Sequence, residues 1–150
     1  MTGDVDVADR LAIQDLIARY AIVVDGRDYD ALDDLFTDNA RIDFTAFGGP
    51  AGSPAEIKTF LAANLGIFSR TQHMMGLPAI SIDGDRASAR TPCNNPMMLT
   101  DTDGTSKVWL IGLWYDDSLV RTADGWRFSS RTQERCYSVV GLADTPLGPA

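Results

Sequence analysis

Three Asp-Gly turns in the second half of the chain constrain its fold more than any other sequence feature. They lie at 83–85, 101–104 and 123–125, and each separates two runs of ten or more residues. The runs are rich in alternating apolar, β-branched and aromatic residues, which is typical of strands. Because Asp-Gly is a favoured hairpin turn, the pattern predicts consecutive antiparallel strands. Their predicted ranges are 72–82, 86–100, 107–122 and 126–139.

The first half of the chain has helix signals instead. From Ala8 to Val24, apolar residues recur at spacings of three and four, as on one buried helical face. Asp28 is a predicted N-cap for a short helix over 29–36, and residues 40–47 alternate like a strand. Ser53, Pro54 and Glu56 form a capping signature for a further helix that ends at Gly66. The predicted buried face of the first helix comprises Leu11, Ile13, Leu16, Ile17, Tyr20, Ala21 and Val24.

Helices followed by a strand meander favour an α+β fold over a doubly wound sheet. A chain of 150 residues fits one domain, which we expect to span 1–150. Long strands twist and coil. We therefore expect a cone-shaped α+β barrel: a strongly curved, mostly antiparallel sheet with N-terminal helices enclosing a pocket.

Charge and cysteine content exclude several classes of protein. The chain has 21 Asp and Glu against 13 Lys and Arg, for a net charge of −8, so nucleic acid and anionic membranes are unfavoured partners. Two cysteines and one histidine provide neither a disulfide framework nor zinc- or iron-ligand spacing, and no calcium loop pattern occurs. We expect no metal and no cofactor, and a metal site made of carboxylates alone is the alternative that stays open. An acidic N-terminus and the lack of a long apolar run predict a cytoplasmic location.

Asp25 is the first candidate functional residue. It ends the predicted first helix, where the helix dipole disfavours a carboxylate, so its charged form needs a partner. His73, the only histidine, is the natural candidate, and Tyr20 lies in the same helical sector as Asp25. Each residue also has a plainer interpretation. Asp25 could be a solvated helix end, and His73 a hydrogen-bonded core residue.

The predicted strand 107–122 is apolar on both faces. Its side chains alternate between two sets, so one face is expected to line the pocket and the other to contact a neighbouring subunit of a homo-oligomer. The alternating sets are Trp109, Ile111, Leu113 and Tyr115 on one face, and Val108, Leu110, Gly112 and Trp114 on the other.

Large uncharged side chains are expected to line the pocket and to suit a small hydrophobic, aromatic or polycyclic substrate. The predicted substrate-binding residues are Ile42, Phe44, Phe60, Phe68, Met75, Met97, Ile111 and Tyr115. On the last strand, Arg127, Arg131 and Arg135 could form a solvated face. Alternatively, Arg131, or Arg135 after a bulge, could turn into the pocket and balance negative charge. The tail 139–150 either frays or covers the pocket mouth or a neighbouring subunit.

The order and spacing of several motifs carry a resemblance that covers about residues 8 to 137. These motifs are Ile13-Gln14-Asp15-Leu16, Tyr20, Asp25, Phe36, Gly52, Ile57, Thr71-Gln72-His73, Asp83-Gly84-Asp85, Ala87, Gly125-Trp126-Arg127-Phe128 and Arg131. Together they resemble the SnoaL-like group of the nuclear-transport-factor-like superfamily, whose members include dehydratases and a dehydrochlorinase.

The resemblance implies a catalytic His–Asp dyad formed by His73 and Asp25. Tyr20 resembles the tyrosine of the dehydratases, and Arg131 resembles an arginine of the dehydrochlorinase. The resemblance further implies a homotrimer and a cofactor-independent lyase that acts by dehydration or retro-aldol cleavage. Two alternatives stay open: an isomerase or cyclase with the same base, and a ligand-binding module without catalytic activity.

Overall fold

The computed structural model describes residues 3–143 of the chain, with the side chains of residues 6–141. This part contains the α-helices α1 (Gly3–Asp25) and α2 (Pro54–Asn64), and short 3₁₀ helices at Tyr29–Asp34, Thr45–Phe47 and Leu65–Ile67. The strands are β1 (Phe36–Asp43), β2 (Ala51–Gly52), β3 (Phe68–Thr71), β4 (Met74–Met75), β5 (Ala79–Asp83), β6 (Arg86–Thr100), β7 (Ser106–Thr122) and β8 (Gly125–Ala143). The predicted role of the tail concerns residues that lie mostly outside this range.

The strands form one curved, mixed sheet in the order β2-β1-β8-β7-β6-β3, and β4 and β5 also pair with β6. Only the β1–β8 pair is parallel among the described pairings. Helix α1 packs against β8 and β4, and α2 packs against β1. The predicted α+β class and mostly antiparallel sheet are confirmed, and the cone is left unclosed between β2 and β3.

The long hairpins follow the predicted turns. Strand β6 spans the predicted 86–100, and β7 and β8 differ from their predicted ranges only at their ends. The turn glycines Gly84, Gly104 and Gly125 have φ angles of 57°, 83° and 104°, a backbone region that favours glycine. These turns are local features, which is why the sequence reveals them.

Two predicted strands have different bounds in the structure. The predicted strand 72–82 is divided into β4 and β5 at Gly76-Leu77-Pro78, because proline has no N–H for a strand ladder. The predicted strand 40–47 begins and ends earlier, as β1, because parallel pairing with β8 captures Phe36. The predicted helix 29–36 is correspondingly a shorter 3₁₀ helix, and Asp28 makes no side-chain capping bond.

Helix α1 supplies much of the core. Its buried residues include Ile13, Leu16, Tyr20 and Val24, whereas Leu11, predicted to face inward, is 60% exposed. No helix among the described residues is long and apolar enough to cross a membrane.

Near the start of α1, Asp9 ties the helix to the hairpin of β7 and β8. It accepts bonds of 2.6 and 2.7 Å from Arg121 and one of 3.0 Å from Trp126. These bonds fix the end of α1 that lies far from Asp25.

Candidate active site

The last turn of α1 and the segment between β3 and β4 bring Asp25 and His73 together. His73 Nδ1 lies 2.7 Å from Asp25 Oδ1, and the backbone N–H of His73 donates to Asp25 Oδ2 at 2.8 Å. The same carboxylate therefore contacts both the ring and the backbone of the histidine. Two contacts restrict the imidazole orientation more than the side-chain bond alone would.

Thr71 and Arg27 support this pair from behind. Thr71 Oγ1 donates to Asp25 Oδ1 at 2.8 Å and accepts a 2.9 Å bond from Arg27 Nη1. The Arg27 guanidinium also donates to the backbone carbonyls of Val24, Leu65 and Phe68. Arg27 has a φ of 61°, an uncommon conformation for a residue with a side chain. It joins the end of α1 to the strand that carries Thr71.

The hydrogen bonds to Asp25 determine its charge state. Burial raises the pKa of Asp25, but the hydrogen bonds and charge of His73 and the Thr71 hydroxyl bring that pKa below its ordinary value. Asp25 is therefore a carboxylate near neutral pH, which accepts a hydrogen bond from Nδ1–H of the ring. In the neutral imidazole, Nε2 then holds the ring lone pair.

His73 borders a cavity of about 250 Å³ between the helices and the sheet. Phe47, Phe60, Phe68 and Trp109 line it, and its described lining contains no Lys, Arg, Asp or Glu. Its polar side chains include Tyr20 and Asn95 near the dyad, Gln133 on β8 and Asn64 on α2. The chamber is thus mostly apolar and rich in aromatic rings, with a titratable ring in its wall.

The predicted substrate-binding residues divide into two groups. Those that line the cavity are Phe44, Phe60, Phe68, Met97, Ile111 and Tyr115. Ile42 instead packs in the core at 1% exposure, and Met75 lies in a separate groove with Gly76 and Pro92. The lining prediction is corrected for these two residues: Ile42 pairs with Gly52 and Arg131 inside the sheet, and Met75 lies in the two-residue strand β4, where it pairs with Cys93.

Arg131 is fully buried and turns inward, whereas Arg135 is exposed. A register shift near Ser129 places Phe128 and Arg131 on one face. Arg131 donates two 2.7 Å bonds to Asp117, and its guanidinium lies 4.1 Å from the ring centre of Tyr20. It therefore lies behind Tyr20 and is absent from the cavity lining.

Burial and charge act in opposite directions on this ion pair. Burial lowers the pKa of Arg131, but the charge and hydrogen bonds of Asp117 raise it above its ordinary value. Burial also raises the pKa of Asp117, against the charge of Arg131. A guanidinium keeps its proton in proteins, and Arg131 donates to both oxygens of Asp117, which is the geometry of an ionised pair. Tyr20 and Tyr115, which flank Arg131, have pKa values raised by burial and stay phenols.

Several residues around the dyad were not identified from the sequence. Asn95 Nδ2 lies 3.2 Å from His73 Nε2, and Gln133 lines the cavity. Asn95 had a detectable signal, because it shares strand parity with the predicted lining residue Met97. Thr71 and Arg27 had no comparable signal, since their roles depend on contacts between distant segments. Among the described side chains, no three His, Cys, Asp or Glu come together as a metal site would.

Sequence relatives are similar along nearly the whole chain. An uncharacterized protein of Mycobacterium tuberculosis is 42% identical over 137 residues, which cover 91% of this chain and 92% of the relative. The crystal structure of the Kfla4162 protein from Kribbella flavida has 33% identity and a TM-score of 0.81, covering 89% of this chain and 95% of that one.

A solved dehydrochlorinase shares the fold. The structure of a hexachlorocyclohexane dehydrochlorinase (LinA) Type2 has a TM-score of 0.79 at 24% identity, and covers 96% of this chain and 97% of that one. The family model described as "SnoaL-like domain" matches residues 5–132. With this match and the 42% identical relative, the chain belongs to the SnoaL-like family.

Proposed function

We propose that this protein is a cofactor-independent lyase that uses His73 and Asp25 as a general base on a small hydrophobic substrate. One observation carries the proposal: His73 bonds Asp25 through Nδ1 at 2.7 Å while its ring borders an apolar cavity. Catalytic bases must lie within hydrogen-bond reach of the group that orients them, and an imidazole is suited to proton transfer near neutral pH.

The proposed reaction begins at Nε2 of His73. Once the substrate displaces the Asn95 amide from Nε2, this nitrogen takes a proton from a substrate carbon next to a carbonyl, and Asp25 stabilises the imidazolium that forms. The electron pair of the broken C–H bond forms the new C=C bond as the neighbouring C–O bond breaks. The leaving oxygen takes a proton from Tyr20 and departs as water. The imidazolium then returns its proton to the Tyr20 phenolate through that water, which restores both groups.

Arg131 supports this step from behind Tyr20. Its guanidinium lies 4.1 Å from the ring centre of Tyr20 and stabilises the phenolate while Tyr20 is deprotonated. In this proposal Arg131 acts through Tyr20 and makes no contact with substrate. Retro-aldol cleavage would use the same base on a substrate hydroxyl, with a C–C bond breaking instead.

The cavity favours a neutral, aromatic or otherwise cyclic substrate. Its volume of about 250 Å³ lies just below the ~300–1,000 Å³ typical of small-molecule sites. A compact ring system fits this volume better than a large polycycle. The absence of charged side chains from the described lining disfavours a carboxylate or phosphate on the substrate.

Turnover of cyclic β-hydroxyketones followed by mass spectrometry tests the proposed function. We expect loss of one water from a substrate in the panel, abolished in His73→Ala and strongly reduced in Asp25→Asn. The matched control is Asn94→Ala, because Asn94 lies on β6 with its side chain bonded to Tyr137, away from the cavity lining. A product of unchanged mass would favour an isomerase. Ligand binding without turnover, unaffected by His73→Ala, would favour a binding module.

We also propose that the protein is a homo-oligomer, with a trimer as the expected form. The support is an apolar strip on the sheet that includes Tyr137 and Val139, which are 38% and 48% exposed and pair with Gly112 and Leu110 of β7. Light scattering at micromolar concentration should give a multiple of the chain mass. Val139→Asp should shift the protein toward monomer, whereas Ile22→Asp, an exposed change on α1, should not. A monomeric parent protein would refute the proposal.

A further inference from the structure

Asn95 is a buried amide with one partner on the dyad and one unpaired atom. It lies on β6, is 4% exposed, and its Nδ2 is 3.2 Å from His73 Nε2. Its Oδ1 is buried and has no hydrogen-bond partner among the described residues. A buried polar atom left unpaired costs roughly 1–3 kcal/mol. The environment therefore keeps an acceptor next to the ring at an energetic cost.

The protonation state of the His73 ring determines whether the Asn95 oxygen has a hydrogen-bond donor to accept from. Ionised Asp25 accepts a hydrogen bond from Nδ1–H, so in the neutral ring Nε2 has a lone pair that accepts from the Asn95 amide. After Nε2 gains a proton, that nitrogen becomes a donor and faces another donor. A half-turn of the amide exchanges its NH₂ and oxygen, which are nearly equal in size. The oxygen then accepts from Nε2–H.

We propose that Asn95 is a positioning residue that holds His73 in both charge states by turning its amide when the ring is protonated. This extends the proposed function to a second partner of the same ring. It concerns hydrogen bonding rather than turnover, so it can fail while the lyase proposal stands, and the reverse also holds.

The other groups around the ring do not provide this second partner. Tyr20 on α1 packs edge-on against the imidazole with ring centroids 6.2 Å apart. Burial raises the pKa of Tyr20 and Tyr115, and raises that of Cys93 on β6 to about 12, so all three stay neutral. Gln133 on β8 lies in the cavity wall, while Arg131 is paired with Asp117. Asp25 is the described carboxylate in contact with the ring.

Nitrogen NMR of ¹⁵N-histidine-labelled protein tests the proposal directly, because the chain has one histidine and every imidazole signal belongs to His73. We expect the neutral ring to carry its proton on Nδ1, with Nε2 accepting a bond from the Asn95 amide protons. In the charged ring, the Nε2 proton should no longer contact those amide protons. A neutral ring protonated on Nε2, or amide protons that stay beside Nε2 in both states, would overturn the proposal.

Asn95→Asp supplies an independent test with a matched control. A carboxylate in this place accepts from Nε2–H but cannot donate, so the ring should stay protonated to a pH about 1–3 units higher than in the parent protein. Asn94→Asp adds the same charge one residue away, where the side chain accepts a bond from Tyr137, and should move the titration much less. Equal shifts of the ring titration in both variants would mean that the added charge alone is responsible, and would overturn the inferred contact between residue 95 and Nε2. If Asn95→Asp does not fold, the nitrogen NMR measurement on the parent protein still tests the proposal.

Discussion

Replacing Arg131 by Met should destabilise the protein strongly, because it leaves the Asp117 carboxylate buried without its partner. Both side chains are fully buried, and two 2.7 Å bonds join them. Removing one member of a buried pair costs about 3–5 kcal/mol. Met fills part of the guanidinium's volume, so most of the loss should come from the unpaired charge.

This loss is large enough to measure by thermal unfolding. For a chain of 150 residues, each kcal/mol lowers Tm by about 2–4 °C, so the expected decrease is on the order of 6–20 °C. Chemical denaturation in urea gives the same quantity as a free energy of unfolding. Both should be measured at neutral pH, where an unpaired Asp117 would have to take up a proton.

Two further variants separate the charge effect from packing. Arg131→Met combined with Asp117→Leu removes both charges and should recover much of the stability, since apolar replacements of buried pairs are often neutral. Arg135→Met changes an exposed arginine on the same strand and should stay within about 0.5 kcal/mol of the parent. If Arg131→Met costs less than about 1 kcal/mol, well below the range for a broken buried pair, the ion pair does not have the structural role inferred from its burial.

Two more predictions concern stability near the helix ends. The pKa of Asp9 is lowered from 3.8 to about 2, chiefly by hydrogen bonds from Arg121 and Trp126, so its stabilising effect is full above pH 3.8 and disappears as the pH falls toward 2. In acid unfolding, Asp9→Asn should therefore be less stable than the parent protein at pH 5, and the two stabilities should converge near pH 2. A stability difference that stays constant with pH would contradict this. The control is Asp15→Asn, which changes an exposed carboxylate on the same helix. Ser53→Ala removes the capping box with Glu56 and should cost about 1 kcal/mol in urea unfolding, whereas an unchanged midpoint would show that the cap is dispensable.

Local signals in the sequence were sufficient for much of the fold. The Asp-Gly turns specify hairpins because glycine accepts the positive φ that such turns need, and β6 was located at both ends. The capping box at Ser53 is equally local, since its partner lies three residues away. The periodicity of the apolar residues and the order of helices and strands along the chain then predicted the α+β class.

The exceptions arise where distant segments compete with local preference. The sequence predicts the end of a helix and a break at residues 36–39, yet they belong to β1, whose first residue, Phe36, pairs in parallel with Phe128 of β8. The bulge near Ser129 turns Arg131 inward, and the alternation of residue types does not reveal where a bulge occurs.

In the candidate site, too, some features were predicted from the sequence and others depend on contacts between distant segments. Asp25, His73 and Tyr20 were identified by residue type, helical position and resemblance, while their mutual distances depend on how α1 packs against the sheet. The contacts of Arg27 and Thr71, which link Asp25 to β3, and the contact of Asn95 with the other side of the imidazole emerge only from the tertiary structure. Sequence period determines which face a side chain occupies. Hydrogen bonds between residues separated by 22 to 48 positions depend on the packed chain, because no local pattern specifies them.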